Sequence, residues 1–215
     1  MRQRRLWQVL VLALVVAATA WAQFPFNAND PANTSQVAIA FTGGSVWTSG
    51  TTGICMWYFP VVGTFDLKAL FMTNSTGAPI VDMQHAYLIW VSDFSVQVLP
   101  TPAGQFLALA PSGTATIYYS SNPAARDLSD RTKRSTWGEV VATFTRAASI
   151  VRSGDGLASD TFTFSADLVS SRTFSLNGRM FNFNNLIPQG MTCFEYGQNG
   201  SSFEAGTCVA IGSGR

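Results

Sequence analysis

Apolar and polar residues alternate with a period of two along most of the chain, and Gly, Pro, Asn and Ser interrupt the alternation at short intervals. This pattern is typical of antiparallel strands with one buried and one solvated face. The clearest alternating runs are residues 37–41, 65–71, 94–98 and 162–168. Each of them is predicted to be a strand.

The strongest local signal is the segment 172–183, in which Asn177-Gly178 separates two strand-like runs. Asn-Gly favours a two-residue type I′ turn, because both turn residues need a positive φ. In that register Phe174 faces Phe181, and Leu176 lies on the same face as Phe183. The sequence therefore predicts a hairpin with one aromatic face turned to the core.

Two segments depart from the simple alternation. Asn122-Pro123 predicts a short helix, with Asn as the cap and Pro at the first helical position. Residues 136–152 fit a helical face after a Thr136-x-x-Glu139 capping box, but they are also rich in β-branched residues, and we favour a strand there. The predicted fold class is all-β, an antiparallel β-sandwich or closed barrel with at most one or two short helices.

The first residues predict the compartment. Residues 2–5 include three arginines, an apolar run follows to Ala20, and Ala20-Trp21-Ala22 places small residues where a signal peptidase cleaves. We therefore expect a signal peptide over 1–22, a flexible lead over 23–35 and a single β domain over 36–215, secreted or periplasmic, with no integral membrane span after cleavage. Without the leader the chain has 10 basic and 12 acidic residues, so no basic face for nucleic acid is expected.

Three cysteines lie in the exported part, where disulfides persist. Cys193 and Cys208 flank a Gly-rich, hairpin-like segment and are the favoured pair, with bridges from Cys55 as the alternatives. A four-residue loop over 199–202 would place Cys193 opposite Cys208, whereas a two-residue turn would place Glu195 opposite Glu204. The first register suits a bridge and separates the like charges. Cys55 is then a buried free thiol.

Few residues are suited to catalysis. His85 is the one imidazole of the chain and follows Asp82, but no G-x-S-x-G motif marks a nucleophile for it. Glu195 and Glu204 could act as paired carboxylates of a glycosidase. For both sets a structural role is the commoner outcome, so a role without catalysis is favoured and a hydrolase is kept as the alternative.

Other motifs are weaker. Trp47, Trp57 and Tyr58 could form an aromatic binding surface, although core packing is the commoner fate of such residues. The charged run from Arg126 to Arg134 is interpreted as a solvated loop. Neither a cofactor nor a metal site is expected, since the chain has no C-x-x-C and its Ser153-to-Asp160 segment lacks the spacing of a calcium loop.

Glycosylation acceptor patterns occur at Asn33, Asn74 and Asn199. Two functions remain. The first is a secreted or cell-envelope β domain with a binding or structural role, whose partner is a protein, a glycan or an apolar small molecule. The second is an extracellular hydrolase that uses Asp82 and His85 or the two glutamates. A filled interior with dispersed acids would favour the first, and a pocket with convergent polar groups the second.

Overall fold

The computed structural model describes residues 37–49, 52–58, 67–95, 97–99, 105–110, 112–130, 133–154, 159–198 and 204–211. The predicted signal peptide, lead and loop over 199–202 lie outside these ranges. Within them the chain is mostly strand, as predicted. The strands are β1 (Val37–Ser49), β2 (Thr52–Tyr58), β3 (Leu88–Ser95), β4 (Gln97–Leu99), β5 (Gln105–Ala110), β6 (Gly113–Tyr119), β7 (Glu139–Gly154), β8 (Ser159–Ser171), β9 (Phe174–Leu176), β10 (Arg179–Phe181), β11 (Gly190–Gln198) and β12 (Glu204–Ile211).

The main sheet closes on itself. Its hydrogen-bonded order runs from β7 through β6, β3, β2, β1, β12 and β11 to β8, and β8 pairs again with β7. All of these pairings are antiparallel. Strands β4 and β5 pair with one another and extend the sheet along the last part of β7. Of the two predicted architectures, the pairing pattern is that of the closed barrel.

Aromatic side chains cross the interior of this barrel. Trp90 on β3 makes edge contacts with Phe41 on β1, at 5.5 Å between ring centroids, and with Phe164 on β8, at 5.6 Å. These strands are not neighbours in the sheet, so the rings meet through its centre. All three side chains are buried. The described part of the interior is therefore filled by large rings.

Two short α-helices occur in the described residues, α1 (Leu67–Leu70) and α2 (Phe183–Leu186). The predicted strand over 65–71 is wrong, since α1 occupies most of it. Leu70 and Phe71 are adjacent and both buried, which a strand with one solvated face would not allow. Leu, Lys and Ala are also good helix formers.

The other local predictions agree more closely with the structure. Residues Pro123–Ala125 form a 3-10 helix with Pro at its start, and β7 runs from Glu139, so the ambiguous segment is a strand for most of its length. Strands β9 and β10 pair Phe174 with Phe181 across Asn177 and Gly178, whose φ values are 50° and 75°. The predicted hairpin is confirmed, although Phe183 begins α2 instead of continuing the strand.

The two ends of the barrel differ in their connections. At one end, the strands that end at Ser49, Leu99, Gly154 and Gln198 are each followed by the next strand after five residues or fewer. At the other end, which we call the connection end, the strands are separated by longer stretches of chain, of which residues 67–87, 120–130 with 133–138, and 172–189 are described. We call these the first, second and third connections.

Candidate functional site

Asp82 and His85, the predicted acid and imidazole, are in direct contact in the first connection. Nδ1 of His85 lies 2.7 Å and 2.9 Å from the two carboxylate oxygens of Asp82. The backbone N–H of His85 also donates to Oδ1 of Asp82 at 2.8 Å. The carboxylate thus both closes the local turn and fixes the orientation of the ring. Both side chains are partly exposed, at 49% for Asp82 and 27% for His85.

Gln84, between these two residues, joins the first connection to the second. Its Nε2 donates to the backbone oxygens of Pro123 and Arg126 at 3.0 Å each, and of Ala124 at 3.3 Å. One amide group therefore bonds to a whole turn of the neighbouring segment. Sequence analysis missed this role, because an isolated Gln carries no pattern.

Arg126, in the second connection, also binds the first connection. Its guanidinium donates to the backbone oxygens of Ala86, of Tyr87 at 2.9 Å and of Trp137 at 2.8 Å. The residue is only 5% exposed, and burial lowers the pKa of its side chain to about 10. The interpretation of the charged run as a solvated loop is wrong for Arg126, because its planar fork satisfies three carbonyl groups at once.

The second connection continues over the outer surface of β3 and β6, which we call the covered wall. Trp137 packs edge-on against Tyr118 at 5.6 Å between ring centroids. Arg134 donates two hydrogen bonds of 2.5 Å to the carboxylate of Asp93 on β3, and this contact raises the pKa of the arginine. Burial raises the pKa of the Tyr118 hydroxyl. Arg134, like Arg126, therefore stabilises the packing of the second connection and is not a solvated surface charge.

The third connection is bound to the first and packs against Tyr119 at the end of β6. Nδ2 of Asn177, in the β9–β10 turn, donates to the backbone oxygen of Ala69 in α1. Phe174 packs against Tyr119 at 5.2 Å and against Phe183 at 5.9 Å between ring centroids. The first connection is thus joined by side-chain hydrogen bonds to both of the others.

The glutamates and the bridge lie on β11 and β12. Cys193 pairs with Cys208 in the strand register, and the two form a disulfide, as predicted. The same register pairs Glu195 with Gly206 and Glu204 with Gly197, so the glutamates are offset and not opposite. The structure describes the side chain of neither glutamate, and their pairing as catalytic carboxylates stays a prediction.

The residues of the proposed aromatic surface lie on β1 and β2, and only their strand register is described. Trp57 pairs with Trp90 and Tyr58 with Ile89 on β3, while Trp47 pairs with Ile54. Adjacent positions of a strand belong to opposite faces. Register positions 57 and 58 therefore do not share one face of the sheet. Cys55 pairs with Val46 and Ser92, and its thiol lies outside the described side chains.

A buried cation in the interior was missed by the sequence analysis. Arg146 on β7 is 3% exposed and lies between the rings of Phe164, at 4.4 Å, and Phe94, at 4.8 Å. It also donates to Oγ of Ser92 at 3.0 Å. A guanidinium between two aromatic faces gains cation–π attraction in a dry environment. Arg146 alternates with Phe144 and Ala142, which is the only signal that could have placed it inside.

Within the described residues no group of three or more His, Cys, Asp or Glu side chains is arranged to hold a metal ion. In the same part of the chain, none of the helices has the length and apolar character needed to cross a bilayer. Comparison with known proteins found no matching family model, no similar curated protein and no similar solved structure.

Proposed function

We propose that this protein is an exported binding domain whose barrel is a rigid scaffold and whose connection end recognises a partner protein. The observation that carries the proposal is the bonding of the first connection to both of the others through Gln84, Arg126 and Asn177. Loops on a rigid scaffold commonly carry function, and ordering them before binding reduces the entropy lost on association.

The exposed side chains of the connections support a protein partner. Met180 in the third connection is 64% exposed and Val81 in the first is 48% exposed. Unbranched and aliphatic side chains of this kind serve as apolar anchors when polar residues surround them. A small apolar ligand inside the barrel is less well supported, because rings fill the interior where its side chains are described.

Export is part of the proposal. The disulfide between Cys193 and Cys208 is fully buried in the barrel, and structural disulfides persist in oxidising compartments. Together with the apolar leader before Gln23, this supports a secreted or periplasmic location.

Binding is tested by placing a charge on each apolar anchor. The partner is first isolated by cross-linking in the cells that make the protein, and its affinity for purified variants is then measured. Met180→Asp and Val81→Asp are expected to weaken binding about tenfold or more, which corresponds to roughly 1.4 kcal/mol. Phe194→Asp, at an exposed position of β11 outside the three connections, is the matched control and should bind normally. Equal binding by all three variants would refute the connection end as the recognition surface.

A hydrolase remains the second candidate, and the contact of Asp82 with His85 is the observation that favours it. A carboxylate on Nδ1 orients an imidazole for base catalysis through its other nitrogen. We expect His85→Gln to leave partner binding and melting temperature unchanged. Hydrolysis of chromogenic ester or glycoside substrates by the native protein, lost in His85→Gln at unchanged stability, would favour the enzyme instead.

A further inference from the structure

The first connection presents one of the three glycosylation acceptor patterns in a defined conformation. Asn74, Ser75 and Thr76 are all exposed and stand in a turn that Gly77 completes, with its backbone N–H bonded to the Asn74 carbonyl oxygen at 2.9 Å. The patterns at Asn33 and Asn199 lie outside the described residues. Of the three patterns, the structure therefore describes the acceptor geometry only at Asn74.

The bonds that hold this turn use one atom of the Asn74 side chain. Its Oδ1 accepts from the backbone N–H groups of Thr76 and Ala78, at 3.0 Å each, and from Oγ1 of Thr76 at 2.7 Å. All three bonds need a carbonyl or carboxylate oxygen at this position and none of them uses Nδ2. A substituent on Nδ2 would keep the oxygen, and hence the turn, as it is.

We propose that Asn74 is an acceptor of N-linked oligosaccharide. The donor class is an oligosaccharide joined to a lipid through pyrophosphate. Nδ2 of Asn74 forms a bond to the anomeric carbon of the sugar, the bond from that carbon to the pyrophosphate oxygen breaks, the lipid pyrophosphate leaves and the Nδ2 proton passes to a base of the transferase. The hydroxyl of Thr76 is in place to polarise the amide through its bond to Oδ1. The proposal depends on the export part of the proposed function and not on its partner.

The test is secretion of the full chain from eukaryotic cells, once with its own leader and once with a proven secretory leader in place of residues 1–22. The peptide that contains residue 74 is analysed by mass spectrometry before and after peptide-N-glycosidase. The decisive variants are Asn74→Asp, which keeps the acceptor oxygen of the turn but has no amide nitrogen, and Thr76→Val. Asn33→Gln and Asn199→Gln are the matched controls.

The expected result is a glycan mass on the residue 74 peptide of the native chain and of both controls, lost in Asn74→Asp and Thr76→Val. Secreted protein with an unmodified Asn74 under the proven leader would overturn the proposal. Glycosylation with the proven leader but retention inside the cell with the native one would support Asn74 as an acceptor and refute export by residues 1–22. The failures of the two proposals are thus distinguishable.

Discussion

Two walls of the barrel are stabilised in different ways. On the covered wall, Arg134 and Trp137 of the second connection lie over β3 and β6, and Leu88 to Ser92 of β3 are buried on both faces of the strand. On the opposite wall, formed by β8, β11 and β12 and called here the bare wall, outward residues such as Thr163, Phe194 and Thr207 are exposed. A disulfide joins β11 to β12 on the inner face of the bare wall. One wall is thus held by packing from outside and the other by a covalent bond from within.

This difference in coverage explains why the strands of the two walls have different patterns of apolar and polar residues. A strand covered on both faces shows a continuous apolar run, as Leu88-Ile89-Trp90-Val91 does, whereas β8 alternates hydroxyl and apolar residues from Thr161 to Ala166. Over that range, periodicity therefore predicts which residues of β8 face inward and which face outward. On the covered wall it predicts only that something must lie over the strand.

The largest expected effect is on the covered wall, through Arg126→Met. Removal of the guanidinium leaves three backbone oxygens without their donor, and each buried polar group left unsatisfied costs about 1–3 kcal/mol. We expect a loss of roughly 3 kcal/mol or more in the free energy of unfolding, measured by urea titration.

Arg126→Lys is the matched control for charge. A lysine keeps the charge but not the planar fork, so it should recover only part of the loss. A full recovery would mean that the positive charge, and not the bonding geometry, holds the second connection to the first.

The bare wall is tested by removing its disulfide. The bridge closes a loop with a sequence separation of 15, which is worth about 3 kcal/mol in the chain-entropy model. Cys193→Ser and Cys208→Ser should lower the melting temperature by similar amounts, and the double variant should be no less stable than either single one. Non-reducing peptide mapping provides the check, and a peptide that links Cys55 to either of the other cysteines would contradict the pairing.

How far the sequence predicts this molecule depends on the range of the contact. The β9–β10 hairpin and the register of β11 with β12 follow from neighbouring residues, since an Asn-Gly turn and two cysteines each constrain a short loop. Helix α1 was missed because its residues alternate as a strand would, and tertiary burial of both Leu70 and Phe71 decides the outcome. The local pattern of apolar and polar residues does not show which residues tertiary packing will bury.

The candidate site was predicted only in part for the same reason. Asp82 and His85 are three residues apart, and their contact follows from that spacing. Gln84 and Arg126 are 42 residues apart in the sequence, and their bond exists only because two connections meet at one end of the barrel. A charged run near a helix start is compatible with a solvated loop or with a buried clamp, and only the carbonyl groups that surround Arg126 distinguish the two.

The smallest expected effect concerns Phe194, whose side chain is 53% exposed on the bare wall. It is flanked in the register by Thr163 and Thr207, so the ring rests among hydroxyl residues and leaves much of its surface in water. Phe194→Ser should change the free energy of unfolding by about 0.5 kcal/mol or less, as for most surface substitutions. A matched change on the covered wall, Ile89→Ser, removes a fully buried side chain and places an unpartnered hydroxyl there, and it should cost several times more. If urea titration gave similar losses for the two variants, the outer face of β11 would have to be covered in solution, and the distinction between the two walls would fail.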